Sequence, residues 1–225
     1  MTGPGANYVA RTIAIANQKG GVGKTTTCVN LAASLAAMKK RILLVDLDPQ
    51  GNASMGCGID KYAIERSIYD VLVDRAPVTE VVRHTGESNF DVLPANSDLT
   101  AAEVELLSVD HKESRLRTSL LEVAMDYDYI LIDCPPSLNM LTLNALIAAH
   151  GVIITMQCEY FALEGLSALV ETINSIAGTV NPDLTIEGIL RTMYDPRNSL
   201  TNEVSSQLHN HLGDKVYRTV VPRNI

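Results

Sequence analysis

The stretch Asn17-Gln18-Lys19-Gly20-Gly21-Val22-Gly23-Lys24-Thr25-Thr26 decides the reading of this chain. Before it runs Thr12-Ile13-Ala14-Ile15-Ala16, short, apolar and partly β-branched, which reads as a buried strand. After it runs Thr27 to Ala37, rich in Ala and Leu, which reads as a helix. A glycine-rich turn between a strand and a helix start is a phosphate cradle. Glycines let backbone N–H groups approach the oxygens, and the helix N-terminus adds positive potential. Gly20, Gly21, Val22, Gly23, Lys24, Thr25 and Thr26 are the nucleotide-binding candidates. Lys24 can reach the β- and γ-phosphates, and the Thr25 hydroxyl can ligate Mg²⁺. The general pattern G-x-x-x-x-G-K-[ST] is missed by one residue, because Gln18 stands at its first glycine. A second lysine, Lys19, stands in the same turn.

Two further apolar runs end in carboxylates. Ile42-Leu43-Leu44-Val45 leads into Asp46-Leu47-Asp48-Pro49-Gln50-Gly51-Asn52, where Pro49 and Gly51 force a loop. Tyr129-Ile130-Leu131-Ile132 leads into Asp133, followed by Cys134-Pro135-Pro136-Ser137. Carboxylates at the carboxyl ends of parallel strands lie on the ligand side of an open α/β sheet. Asp133 has the form of a Walker B acid, able to hold the Mg²⁺ shell across from Thr25.

The 225 residues suffice for one large α/β domain, and 46% hydrophobic content argues against disorder. No apolar run reaches the roughly 18 residues needed to span a bilayer. Residues 1–10 carry no signal-peptide pattern and are expected to form a flexible leader. Cys28, Cys57, Cys134 and Cys158 form no C-x-x-C pair, which argues against a disulfide or metal framework and fits a reduced, cytoplasmic protein. The net charge of −8 repels nucleic acid on average. From Gly188 onward, however, five bases (Arg191, Arg197, Lys215, Arg218, Arg223) face three acids (Asp195, Glu203, Asp214).

Repeated β-α units predict an α/β fold: a mostly parallel twisted sheet with helices on both faces, built as a single P-loop domain over residues 11–225. Short helices are expected at 67–72 and 78–83, a strand at 90–95, and a long helix from Asp98 with charges out to Arg117. Further helices are expected over 138–150, 160–177 and 199–211, with strands over 151–156, 185–190 and 216–221.

Taken together, Lys19 to Thr26, Asp46 to Asn52, Asp133 to Ser137, Thr192 to Asp195 and Pro222-Arg223-Asn224 resemble the Soj-like branch of ParA partition ATPases, within the ParA/MinD group with a deviant Walker A motif. The resemblance implies a Mg²⁺-dependent ATPase that closes a sandwich homodimer on ATP. Lys19 would contact the partner's nucleotide, and Asp48 would position or activate the attacking water, making Lys19, Lys24 and Asp48 the catalytic set. Asp46 would support the Mg²⁺ shell alongside Thr25 and Asp133. Pro222 and Asn224 would lie near adenine. The dimer would bind DNA without sequence preference, as a nucleoid-associated protein, and a ParB-type centromere-binding protein would stimulate hydrolysis and release it. Arg191, Arg197, Lys215 and Arg218, in the basic tail, are the DNA-binding candidates. Family members usually continue past this segment, so the domain is expected to lack its C-terminal end.

The alternative is a MinD-like membrane-positioning ATPase; Asp48-Pro49-Gln50-Gly51-Asn52 favours the partition branch, with no membrane partner. A P-loop carboxylate ligase would need a dedicated substrate pocket, for which no sequence feature speaks. A nitrogenase-type electron-transfer ATPase would need bridging cysteines, which the spacing does not supply.

Overall fold

The computed structural model describes residues 9–86 and 89–223. Among them, eight strands form one sheet in the order β3-β4-β2-β5-β1-β6-β7-β8. The strands are β1 (Arg11–Ala16), β2 (Ile42–Asp46), β3 (Arg83–Thr85), β4 (Phe90–Leu93), β5 (Tyr129–Asp133), β6 (Gly151–Gln157), β7 (Thr185–Tyr194) and β8 (Val216–Pro222). All neighbours run parallel except β3, which pairs antiparallel with β4 at one edge. The sheet is thus the mostly parallel one that the β-α order predicts.

The helices are α1 (Lys24–Ala37), α2 (Asn52–Gly56), α3 (Ile68–Leu72), α4 (Val78–Val81), α5 (Leu99–Glu105), α6 (Arg115–Leu121), α7 (Met140–Ala148), α8 (Ala162–Thr179) and α9 (Ser199–Leu212). Alternation along the central strands sorts the core into two layers. Ile13 and Ile15 of β1 pack with Leu44 of β2, Leu131 of β5, and Cys28, Ala32 and Ala36 of α1. Ala14 and Ala16 face the other layer, with Val45, Ile132, Leu141 of α7, Leu120 of α6 and Leu169 of α8. Cys28, Ala32 and Ala36 recur every four residues, so α1 presents a stripe of small side chains to the sheet. That stripe lets α1 lie close to β1, β2 and β5 and fixes where its N-terminus points.

Two expectations are corrected. The helix expected over 78–83 ends at Val81, because Arg83–Thr85 pairs with Phe90–Asp91-Val92 as an edge strand. The long helix expected from Asp98 is broken: α5 stops at Glu105, two 3-10 turns follow at Leu106–Ser108 and Lys112–Ser114, and α6 starts anew at Arg115. The break lets Leu99, Leu106 and Leu116 all enter the core, which one straight helix would not. Among the described residues, no helix is long and apolar enough to cross a membrane. All four cysteines are free; Cys28, Cys134 and Cys158 are buried. Of the expected leader, residues 1–8 lie outside the described residues.

Candidate nucleotide site

The central strands β1, β2 and β5 end side by side, with Ile15 opposite Asp133 and Asp46 opposite Asp133. The loop after β1 therefore meets both carboxylate loops at the carboxyl ends of the central strands. Gly21 and Gly23 hold left-handed backbone, with φ of +72° and +79°, which side chains with a Cβ adopt only under strain. Gly23 is the N-cap of α1 and offers no side chain to it. The first N–H groups of the helix are thus left for an anionic ligand.

Lys24 is buried, and its Nζ donates to the Lys19 carbonyl at 3.0 Å. Burial pushes its ammonium pKa down, while Asp133, Cys134 and Asp48 act the other way. Thr192 on β7 donates its hydroxyl to the Val22 carbonyl at 2.9 Å and tethers the loop from the far side. A cleft of about 510 Å³ opens here, lined by Gly20, Gly21, Gly23, Lys24, Thr25, Thr26, Asp48, Gln50, Asn52, Pro136 and Met193.

The three acids differ in their surroundings. Asp133 is fully buried, and neither carboxylate oxygen has a hydrogen-bond partner among the described residues. Burial, then the neighbouring Asp46, raise its pKa to about 8, against the pull of the Thr25 hydroxyl. A buried carboxylate with orphaned oxygens beside a threonine hydroxyl is the donor set a hard divalent cation takes. The residues therefore fit Mg²⁺ between Thr25 and Asp133. Asp48 is nearly buried, and its Oδ1 accepts from the Gln50 backbone N–H at 2.9 Å.

Asp46 is engaged differently from its expected place in the Mg²⁺ shell. Its Oδ2 accepts from Ser54 N–H and Ser54 Oγ at 2.7 Å each, and its Oδ1 from Asp48 N–H at 3.2 Å. It holds the loop between β2 and α2 rather than standing open to a cation. Burial raises its pKa to about 6 despite these bonds.

Lys19 sits on the rim, its side chain half exposed, in an ion pair with Glu159. Pro222 is exposed at the end of β8, opposite Tyr194 and outside the cleft lining, and Asn224 lies outside the described residues. The basic tail is also revised. Arg191 is buried, donating to Ser205 Oγ at 2.8 Å and to the Tyr217 carbonyl at 3.0 Å, so it pins β7 to α9 and β8 and is no surface contact. Arg197 is exposed but forked onto Asp195, whose carboxyl it holds down at about 2. Lys215 donates to the Ile186 carbonyl at 3.1 Å, and Arg218 is exposed.

Sequence reasoning left four cleft residues off the site: Gln50, Asn52, Pro136 and Met193. All four belong to motifs already noted, Met193 within Thr192 to Asp195. Met193 carries φ +46°, a sparsely populated conformation for a side chain of its size, directly after the tether Thr192. Nothing in its residue type signals this. Glu159, the Lys19 partner, was likewise hidden, since it lies 140 residues away in sequence.

Residues 10–186 match the family model described as an AAA domain. The chain is 52% identical over 217 residues to the sporulation initiation inhibitor protein Soj of Bacillus subtilis, covering 96% of this chain and 86% of that protein. It is 50% identical over 217 residues to the chromosome partitioning protein ParA of Caulobacter vibrioides, covering 96% and 81%. Among solved structures, it superposes on one described as cobyrinic acid a,c-diamide synthase of Mycobacterium smegmatis, with bound ADP and magnesium. The TM-score is 0.88 at 38% identity, over 96% of this chain and 87% of that one. The same protein is also known with a bound ATP analogue and magnesium. With its P-loop, its two carboxylate loops and these relatives, the chain belongs to the ParA/Soj family of partition ATPases, which use ATP and Mg²⁺.

Proposed function

We propose that this protein is an ATP-dependent switch that pairs with a second copy when ATP is bound, holds DNA without reading its sequence, and lets go on hydrolysis. Its cargo is a chromosome or plasmid, and its partner a ParB-type centromere-binding protein that stimulates hydrolysis. The observation carrying this reading is the contrast between two lysines of one loop. Lys24 is buried in the cradle among Asp133 and Asp48. Lys19, five residues earlier, stands half exposed on the rim, its ammonium paired with Glu159. An exposed ion pair contributes about 0–1 kcal/mol, so Lys19 leaves Glu159 at little cost when a second subunit presents a triphosphate.

The reaction is phosphoryl transfer from ATP to water. Backbone N–H groups at Gly20 to Thr26 and the Lys24 ammonium bind and orient the phosphates. Asp48 stands at the cleft with Oδ1 fixed by Gln50, leaving Oδ2 to orient water. Asp46, through Ser54, holds the loop that carries Asp48. Thr25 and Asp133 would hold Mg²⁺, which would supply charge to screen the phosphates. Pro136, on the loop after Asp133, lines the same cleft and can report whether the terminal phosphate is present. Pro222 and Asn224 are the adenine contacts in this reading.

With Arg191 withdrawn into the core, the DNA contacts reduce to Arg197, Lys215 and Arg218. Three cations per subunit are few for a chain of net charge −8. Doubling them on one rigid dimer raises the second subunit's effective concentration and turns weak contacts into useful ones. Apart from Met193, the cleft lining comes from the glycine-rich loop and the two carboxylate loops. Pelleting with non-specific DNA or with anionic lipid vesicles, in ATP or ADP, tests the reading. DNA capture in ATP alone is expected, falling steeply with salt and weakened by Arg218→Glu. Vesicle capture in place of DNA would overturn it in favour of the membrane-positioning alternative.

A further inference from the structure

A second cavity, about 450 Å³, lies between the segment after α3 and the start of α6. It shares no lining residue with the nucleotide cleft. Its floor is Arg115, only 9% exposed, whose Nε has no hydrogen-bond partner and which forms no ion pair among the described residues. A guanidinium whose inner nitrogen is buried without a partner ordinarily meets a carboxylate or phosphate. Its strongest charged influence is another cation, Arg75, which lines the same cavity and is exposed. Burial first, and then Arg75, push the Arg115 pKa down; Asp110 opposes them with the weakest influence of the three. Asp110, His111 and Glu122 also line the cavity.

The geometry points to a site for a small phosphorylated ligand, its phosphate taken between Arg115 and Arg75. A planar guanidinium grips a phosphate through two parallel N–H donors, which supplies the missing partner and neutralises the like-charge contact. The rest of the cavity is an acceptor surface. The hydroxyls of Thr118 and Ser119 already donate to the Ser114 and Arg115 carbonyls at 3.0 and 3.1 Å, which leaves their lone pairs available. With Asp110 and Glu122 they suit hydroxyl or amino groups on the organic part, and the volume suits a sugar phosphate or a nucleotide.

The test uses the whole chain with ADP and Mg²⁺ held saturating, titrated with inorganic phosphate or with ribose 5-phosphate while the melting temperature is read. At tenfold excess over Kd, binding to the folded state alone should raise Tm by about 3–6 °C. Ribose 5-phosphate should reach that shift at a concentration at least roughly tenfold lower than phosphate, if the acceptor surface contributes as one good polar contact does. Arg115→Gln should abolish both shifts and, without anion, melt no lower than the wild type, since a buried unpaired charge has been removed. An equal shift in Arg115→Gln, which binding of phosphate beside ADP in the nucleotide cleft would produce, overturns the proposal. So does the absence of any shift in the wild type. If Arg115→Gln does not fold, Arg75→Gln decides at the exposed rim: a weakened response supports the site and an unchanged one overturns it.

Discussion

The carboxylate of Asp46 accepts both the backbone N–H and the hydroxyl of Ser54, each at 2.7 Å, and all three groups are buried. Ser54 Oγ in turn accepts from the Ala95 backbone N–H at 3.0 Å, so one hydroxyl joins the loop after β2 to the loop after β4. Ser54→Ala strips both links and leaves a buried carboxylate short of a donor. The expected loss is about 1–3 kcal/mol of stability, read by urea unfolding. Turnover should fall more than ATP affinity, because the loop moves Asp48 and not the cradle.

The two buried acids make stability depend on pH in an unusual direction. Asp46 and Asp133 have folded-state values of about 6 and about 8, both above the usual carboxylate range. The native chain keeps protons that the unfolded chain has released, so their contribution is present at low pH and is lost as pH rises. Without nucleotide and metal, stability should drop by roughly 2–3 kcal/mol between pH 6 and pH 8, within the limit of about 1.4 kcal/mol per proton and pH unit. Asp133→Asn should flatten that slope and raise the melting temperature at pH 8. Saturating Mg²⁺ and ADP should reverse it, because a cation selects the ionised carboxylate. A wild-type profile that is flat from pH 6 to pH 8 would remove the basis for placing Mg²⁺ at Asp133.

Lys24→Ala removes the buried ammonium that faces Asp133 and Asp48. Loss of a charged hydrogen bond to phosphate should weaken ATP binding roughly 10- to 100-fold, measured by calorimetry. Wild-type affinity in this variant would defeat the P-loop assignment.

The sequence made the central sheet legible because β1, β2 and β5 are continuous apolar runs, and each ends in a motif whose chemistry needs a strand terminus. It missed what depends on contacts distant in sequence. Edge strand β3 is three residues long and has no period of its own; only its pairing with β4 defines it. The stretch after Asp98 reads as one helix because its charges, Glu103, Glu105, Glu113, Arg115 and Arg117, suit a solvated face, while Leu106 and Leu116 require the break. Arg191 counted as a surface base because composition ignores burial, whereas its alternation within β7 turns it toward Ser205. Asp46 and Asp48 are indistinguishable as letters, and only Ser54 tells them apart.

Asp48→Ala should separate binding from chemistry. The cradle remains intact, so ATP affinity should stay within about twofold, a difference near the thermal energy. Turnover should fall roughly 100-fold or more with the water-orienting carboxylate gone. Single-turnover phosphate release measures it, and an unchanged rate would deny Asp48 a catalytic role.

The division of labour between Lys19 and Lys24 is the centre of this account, and sedimentation velocity tests it most directly. Wild-type protein and Lys19→Ala are each run with ATP, ADP or no nucleotide, with and without a short duplex of arbitrary sequence. Wild-type protein should dimerise in ATP only and carry the duplex with it. Lys19→Ala should bind ATP yet remain a monomer that leaves the duplex behind. A Lys19→Ala dimer in ATP that carries DNA as the wild type does would contradict the cross-subunit role of Lys19 and, with it, the switch.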